Sequence, residues 1–171
     1  MILTHQSRGT PCDLAALGAR LADDGYRVVA WTSQHSSSTR TLRLLVEHER
    51  QAGATYVALV GASLGAATSI TAGSSARPPV DAVVALSPSS QSDRAGDVTR
   101  AATRFRGPLM VVAAEHDPSF ADLPPELARL HDGPEEVEVV TGSSDHGKEF
   151  VLRRIDPMID RVLAFLARSG R

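Results

Sequence analysis

The chain has 171 residues, 42% of them hydrophobic and 22% charged, with a net charge of −2. That size and composition suit one globular domain rather than a disordered chain, and the near-neutral charge leaves no basic field for nucleic acid. A single cysteine, Cys12, excludes an internal disulfide and fits a reducing compartment.

The first residues, Met1-Ile2-Leu3-Thr4-His5, carry no basic stretch and no long apolar segment, so they do not read as a signal peptide. No apolar run approaches the ~20 residues of a membrane span. A cytoplasmic protein with no membrane partner is expected. All but one of the 18 basic residues are arginine, and they are scattered as on solvated faces.

Taken in order, short apolar runs alternate with longer amphipathic stretches. Residues 2–4 read as a strand, and residues 13–24 as a helix with Leu14, Leu17 and Leu21 on one face and Gly25 ending it. A strand at 27–31 precedes a helix at 39–51 carrying Leu42, Leu45 and Val46. A strand at 56–60 leads to a small-residue helix at 63–72 that can press close to a sheet. Strands at 82–86, 109–113 and 137–140 follow, separated by helices at 93–105 and 125–130. The last helix, 148–167, buries a stripe from Phe150 to Leu166, and Pro157 should kink or split it. Val, Ile and Leu without strict alternation mark strands covered on both faces. The expected fold is α/β: one domain over residues 1–171, a doubly wound six-stranded parallel sheet with helices on both faces.

Residues 56–60 run straight into Gly61-Ala62-Ser63-Leu64-Gly65. Between a strand and a helix, Gly-x-Ser-x-Gly forms a sharp turn that strains the serine backbone. The flanking glycines remove side chains that would clash there. Ser63 would then stand at the carboxyl end of the sheet, where open α/β folds place ligands, and at a helix N-terminus that favours negative charge. The same glycines would also serve a plain βα turn with Ser63 as a helix cap.

A serine nucleophile needs a base held by a third group. Of six histidines, His146 lies in Asp145-His146-Gly147, between the last strand and the last helix. Asp117 follows a strand in Ala114-Glu115-His116-Asp117-Pro118, a turn from which a carboxylate can accept from the imidazole. Glu115 is a rival acid, and His116 reads as an exposed neighbour. Oxyanion donors would be the N–H of Leu64 and one from His5-Gln6-Ser7-Arg8-Gly9, with Ser7 favoured and Gln6 the alternative. His5 reads as shaping that loop. This chemistry calls for no cofactor and no metal.

With these residues assembled, the chain resembles the α/β-hydrolase superfamily over nearly its whole length, and most of all its small, lidless dienelactone-hydrolase-like bacterial members. His5-Gln6 is similar to the His-Gly of the family's oxyanion loop. Gly61–Gly65 match the nucleophile elbow, and Asp117-Pro118 the acid turn. The order Ser63, Asp117, His146 is the family's order. Three departures stand out. The family usually begins with two strands before the oxyanion loop, whereas this sequence starts at that loop, which implies the strand order 2-1-3-4-5-6. The Asp and Gly-rich turn usual after the second strand is replaced by Thr32-Ser33-Gln34-His35-Ser36. Dienelactone hydrolases proper use cysteine where Ser63 stands.

The resemblance implies a serine hydrolase of the carboxylesterase type that cleaves small or exposed esters. Its open crevice would be lined by Ser7, Leu64, His35 and Ser87-Pro88. The same triad would serve an acyltransferase or perhydrolase, and a non-catalytic ligand-binding member of the fold is a further alternative. The expected partner is a small-molecule ester. Strand 27–31 should form an unprotected sheet edge, so a homodimer through it or a marginally soluble monomer is expected.

Overall fold

The computed structural model describes residues 1–33, 38–89, 91–92, 96–117, 123–153 and 155–170. Six parallel strands form one sheet: β1 (Ile2–Thr4), β2 (Val29–Trp31), β3 (Ala58–Ala62), β4 (Ala82–Leu86), β7 (Leu109–Ala114) and β8 (Glu135–Val140). Their spatial order is β2-β1-β3-β4-β7-β8, the order anticipated from the sequence. In register, Thr4 stands beside Gly61, Ala62 beside Leu86, and Leu86 beside Val112.

Strand residues alternate between two apolar layers, as the two-residue pleat demands. Leu59, Val83, Ala85 and Val111 face one layer with α2 (Ser38–Gln51), α3 (Leu64–Gly73), α4 (Val98–Ala102) and α5 (Leu123–Leu130). Val60, Val84, Leu86 and Val112 face the other, with α1 (Ala15–Asp23), α6 (Glu149–Arg153) and α7 (Ile155–Ser169). Right-handed crossovers explain the division. The chain moves one way from β1 to β2 and back the other way from β2 to β3, so α1 lies opposite α2 and α3. That reversal leaves a crevice between the carboxyl ends of β1 and β3.

α6 ends at Arg153 and α7 begins at Ile155, with residue 154 outside the described residues, and the Pro157 expected to kink or split this stretch is the third residue of α7. A difference from the expected elements lies after β4. Instead of one helix over 93–105, the chain forms a short antiparallel pair, β5 (Gln91–Ser92) with β6 (Gly96–Asp97), and then the five-residue α4. Asp97 starts that helix, accepting from the Arg100 N–H at 2.9 Å and the Thr99 hydroxyl at 2.7 Å. Its carboxylate competes for backbone donors inside a helix and caps one when placed at its start.

β2 is an edge strand, as expected, and only three residues long. Trp31 turns inward: its indole N–H donates to Thr4 Oγ1 at 3.1 Å. With Val29 it packs on the α2 and α3 layer. Among the described residues, no helix is long and apolar enough to cross a membrane.

Candidate active site

β3 ends at Ala62 and α3 begins at Leu64, so Ser63 alone makes the turn. Its backbone sits at φ 53, ψ −114, a region costing about 1–3 kcal/mol for a residue with a side chain. Two glycines make the turn passable. A Cβ on Gly61 would lie 2.2 Å from the Gly65 carbonyl oxygen, and one on Gly65 would lie 2.1 Å from that of Thr4. The elbow is fixed to the sheet by the Ser63 N–H, which donates to the Leu86 carbonyl at 2.8 Å.

The Ser63 side chain does not cap α3. Its Oγ lies 2.8 Å from His146 Nε2 instead, while His146 Nδ1 lies 2.7 Å from Asp117 Oδ2. The carboxylate can only accept from Nδ1–H, which leaves Nε2 free to accept the serine proton. Asp117 is buried, 6% exposed, so its charge meets the imidazole with little competing water. Glu115 points elsewhere: it is exposed and its Oε2 accepts from the Gly142 N–H at 2.7 Å. A continuing strand would put these two acids, two residues apart, on one face; the turn after β7, in which the Asp117 N–H donates to the Ala114 carbonyl at 3.2 Å, separates them and leaves the buried one toward the site. His116 is exposed, and Pro118 lies outside the described residues.

Four consecutive amides carry the histidine, and each donates to a side-chain oxygen. Asp145 N–H goes to Ser143 Oγ at 3.1 Å, His146 N–H to Glu149 Oε2 at 3.0 Å, Gly147 N–H to Ser87 Oγ at 3.1 Å, and Lys148 N–H to Gln6 Oε1 at 3.0 Å. Gly147 has φ +54, and a Cβ there would lie 2.7 Å from Gln6 Oε1 and 3.3 Å from Ser63 Cβ. Lys148 Nζ reaches Asp13 Oδ1 at 3.1 Å, and the buried Asp145 meets Arg153 at 3.4 Å.

The loop after β1 closes the other side. His5 is buried and joins two segments, with Nδ1 2.7 Å from the Gln6 carbonyl and Nε2 accepting from the Ser33 N–H at 2.9 Å. Among the described residues, the N–H groups of Leu64, Gln6 and Ser7 have no protein acceptor. Ser7 is exposed and Leu64 half-buried. Of the residues expected to line the crevice, Ser87 and Pro88 are buried, and the Ser87 Oγ meets the Gly147 N–H beside His146. His35 falls outside the described residues.

In the sequence, Gln6 is a candidate only for a backbone donor and Ser87 only for a crevice wall. Neither side-chain contact to the histidine loop leaves a local signal, since the partners are 142 and 60 residues apart.

Sequence comparison finds no matching family model and no matching curated protein. Solved structures do match. An esterase from Pyrococcus furiosus superposes with a TM-score of 0.79 at 15% identity, over 99% of this chain and 81% of that one. A predicted hydrolase from Thermoplasma acidophilum gives 0.74 at 18% identity, over 96% and 84%. An enol-lactonase from Burkholderia xenovorans gives 0.73 at 12% identity, over 97% and 90%. The chain has the α/β-hydrolase fold. Within the α/β-hydrolase fold, the reversal between β1 and β3 is where Ser63, His146 and Asp117 meet, and the loop bearing Gln6 and Ser7 borders it.

Proposed function

We propose that this α/β-hydrolase-fold protein is a serine hydrolase acting on small or exposed carboxylic esters through an acyl-enzyme. The observation that carries the reading is the unbroken line from Ser63 Oγ through His146 Nε2 and Nδ1 to Asp117 Oδ2, with spacings of 2.8 and 2.7 Å. An esterase and an enol-lactonase among its structural neighbours agree with it.

In this reading Ser63 Oγ attacks the ester carbonyl while His146 Nε2 takes its proton. Asp117 holds the imidazole in the required tautomer and stabilises the imidazolium that forms. The Leu64 and Ser7 N–H groups receive the oxyanion, which develops at the α3 N-terminus where the helix dipole favours it. The leaving alcohol takes the proton from His146, and a water activated by the same imidazole then releases the acid and frees Ser63.

The test is turnover of p-nitrophenyl esters of increasing acyl length. Ser63→Ala should lower kcat by about 10³-fold or more with an unchanged fold. A fluorophosphonate should label a peptide containing Ser63. A folded Ser63→Ala variant with parental turnover would overturn the assignment.

A further inference from the structure

We propose that Ser87 is a positioning residue that sets the distance between His146 and Ser63. The proposal rests on the reading of Ser63, His146 and Asp117 as the reacting set.

Ser87 follows β4 directly and is fully buried, yet it holds φ 51, a conformation that glycine adopts more readily than serine. A buried serine kept in a glycine's conformation calls for a reason, and its hydroxyl supplies one. Ser87 Oγ accepts from the Gly147 N–H at 3.1 Å. Gly147 is the neighbour of His146 and packs against Ser63, so this amide sets where the imidazole stands. The residue before Ser87 holds the other partner, for the Leu86 carbonyl accepts from the Ser63 N–H at 2.8 Å. One dipeptide, Leu86-Ser87, therefore anchors both nucleophile and base loop. It is itself tied to the sheet by the Ser87 N–H, which donates to the Val112 carbonyl at 2.7 Å.

The other bonds to the loop cannot do this. Glu149 holds the His146 N–H from three residues away in the same segment, and Ser143 holds the Asp145 N–H from two. Both move with the loop. Gln6 holds the Lys148 N–H from the loop after β1, which lies beyond the strand's end. Of the four acceptors, only Ser87 ties the histidine loop to a central strand.

The decisive variant is Ser87→Gly, which relieves the left-handed backbone while removing the acceptor. A residue kept for stability alone would leave kcat tracking the melting temperature. The positioning role predicts a kcat about 10- to 10²-fold lower at temperatures where the variant is fully folded, with KM changed little. Ser87→Cys, a near-isostere whose sulfur accepts weakly, should fall between. Hydrogen exchange at the Gly147 amide should quicken in Ser87→Gly, and this measurement needs no ester turnover. Parental kcat in a folded Ser87→Gly, or unchanged Gly147 exchange, would overturn the proposal. A parent that neither hydrolyses esters nor labels at Ser63 would count against the hydrolase reading, and Gly147 exchange would still decide the clamp.

Discussion

Gly65 stands against Thr4 so closely that a Cβ on the glycine would lie 2.1 Å from the Thr4 carbonyl oxygen. This contact joins the first turn of α3 to the end of β1, and brings the loop of Gln6 and Ser7 alongside the serine elbow. Backbone, not a flexible side chain, blocks the space, so relief requires a shift of helix or strand.

Gly65→Ala should therefore destabilise the protein by about 1–3 kcal/mol and impair ester turnover together. Gly18→Ala is the control. Its Cβ would meet Leu3 and Val28 side chains at 3.4 and 3.6 Å, ordinary contacts, within helix α1. It should be neutral or stabilising by about 0.5–1 kcal/mol. Urea denaturation of the two variants checks the contrast, and equal effects would refute it.

The two acids near the end of β7 should separate cleanly. Asp117→Asn keeps the shape but loses the charge that faces His146 Nδ1, and kcat should fall by about 10²-fold or more. Glu115→Gln alters an exposed side chain bonded to Gly142 and should change kcat by no more than about twofold. Parallel kinetics on both would reveal any misassignment, since a larger loss from Glu115→Gln reverses the roles.

Acid should weaken the start of α4. The Arg100 N–H, and then the Thr99 hydroxyl, hold the Asp97 carboxyl below its ordinary value. A folded-state value below the unfolded one means a contribution fully present above the unfolded value and lost as pH falls through the folded one. Asp97→Ala should lower the melting temperature at neutral pH, and that difference should shrink as the pH is taken below the carboxylate range. A constant difference down to the acid limit would exclude the linkage.

Assembly at the β2 edge is open to a direct measurement. If self-association uses the edge of Val29–Trp31, light scattering should show a mass that rises with concentration, and Ala30→Lys, at the exposed residue of the strand, should abolish the rise. A constant monomer mass for both proteins would reject this edge as an interface.

The hydrophobic runs by themselves determined the six strands, because a strand covered on both faces must be apolar throughout, whereas their order followed from the resemblance to the α/β-hydrolase superfamily. Gly61, Ser63 and Gly65 were equally legible, since a local turn writes its requirements into adjacent residues. Glu135 and Glu136 open β8, so the apolar run covers only its last four residues. Only the tertiary structure supplies Arg168 and Arg161 of α7 to pair with Glu136 and Glu138 at 2.6 and 2.5 Å. The antiparallel pair of 91–92 with 96–97 is hidden for a similar reason, two-residue strands being too short to show a period. The sequence favours Asp117 over Glu115, but the turn after β7, closed by the Asp117 N–H on the Ala114 carbonyl, is what sets one inward and the other out. The hold of Ser87 and Gln6 on the histidine loop was decided by folding alone. A side-chain oxygen meeting a distant amide depends on where two loops end, and neither stretch of sequence carries the other's position.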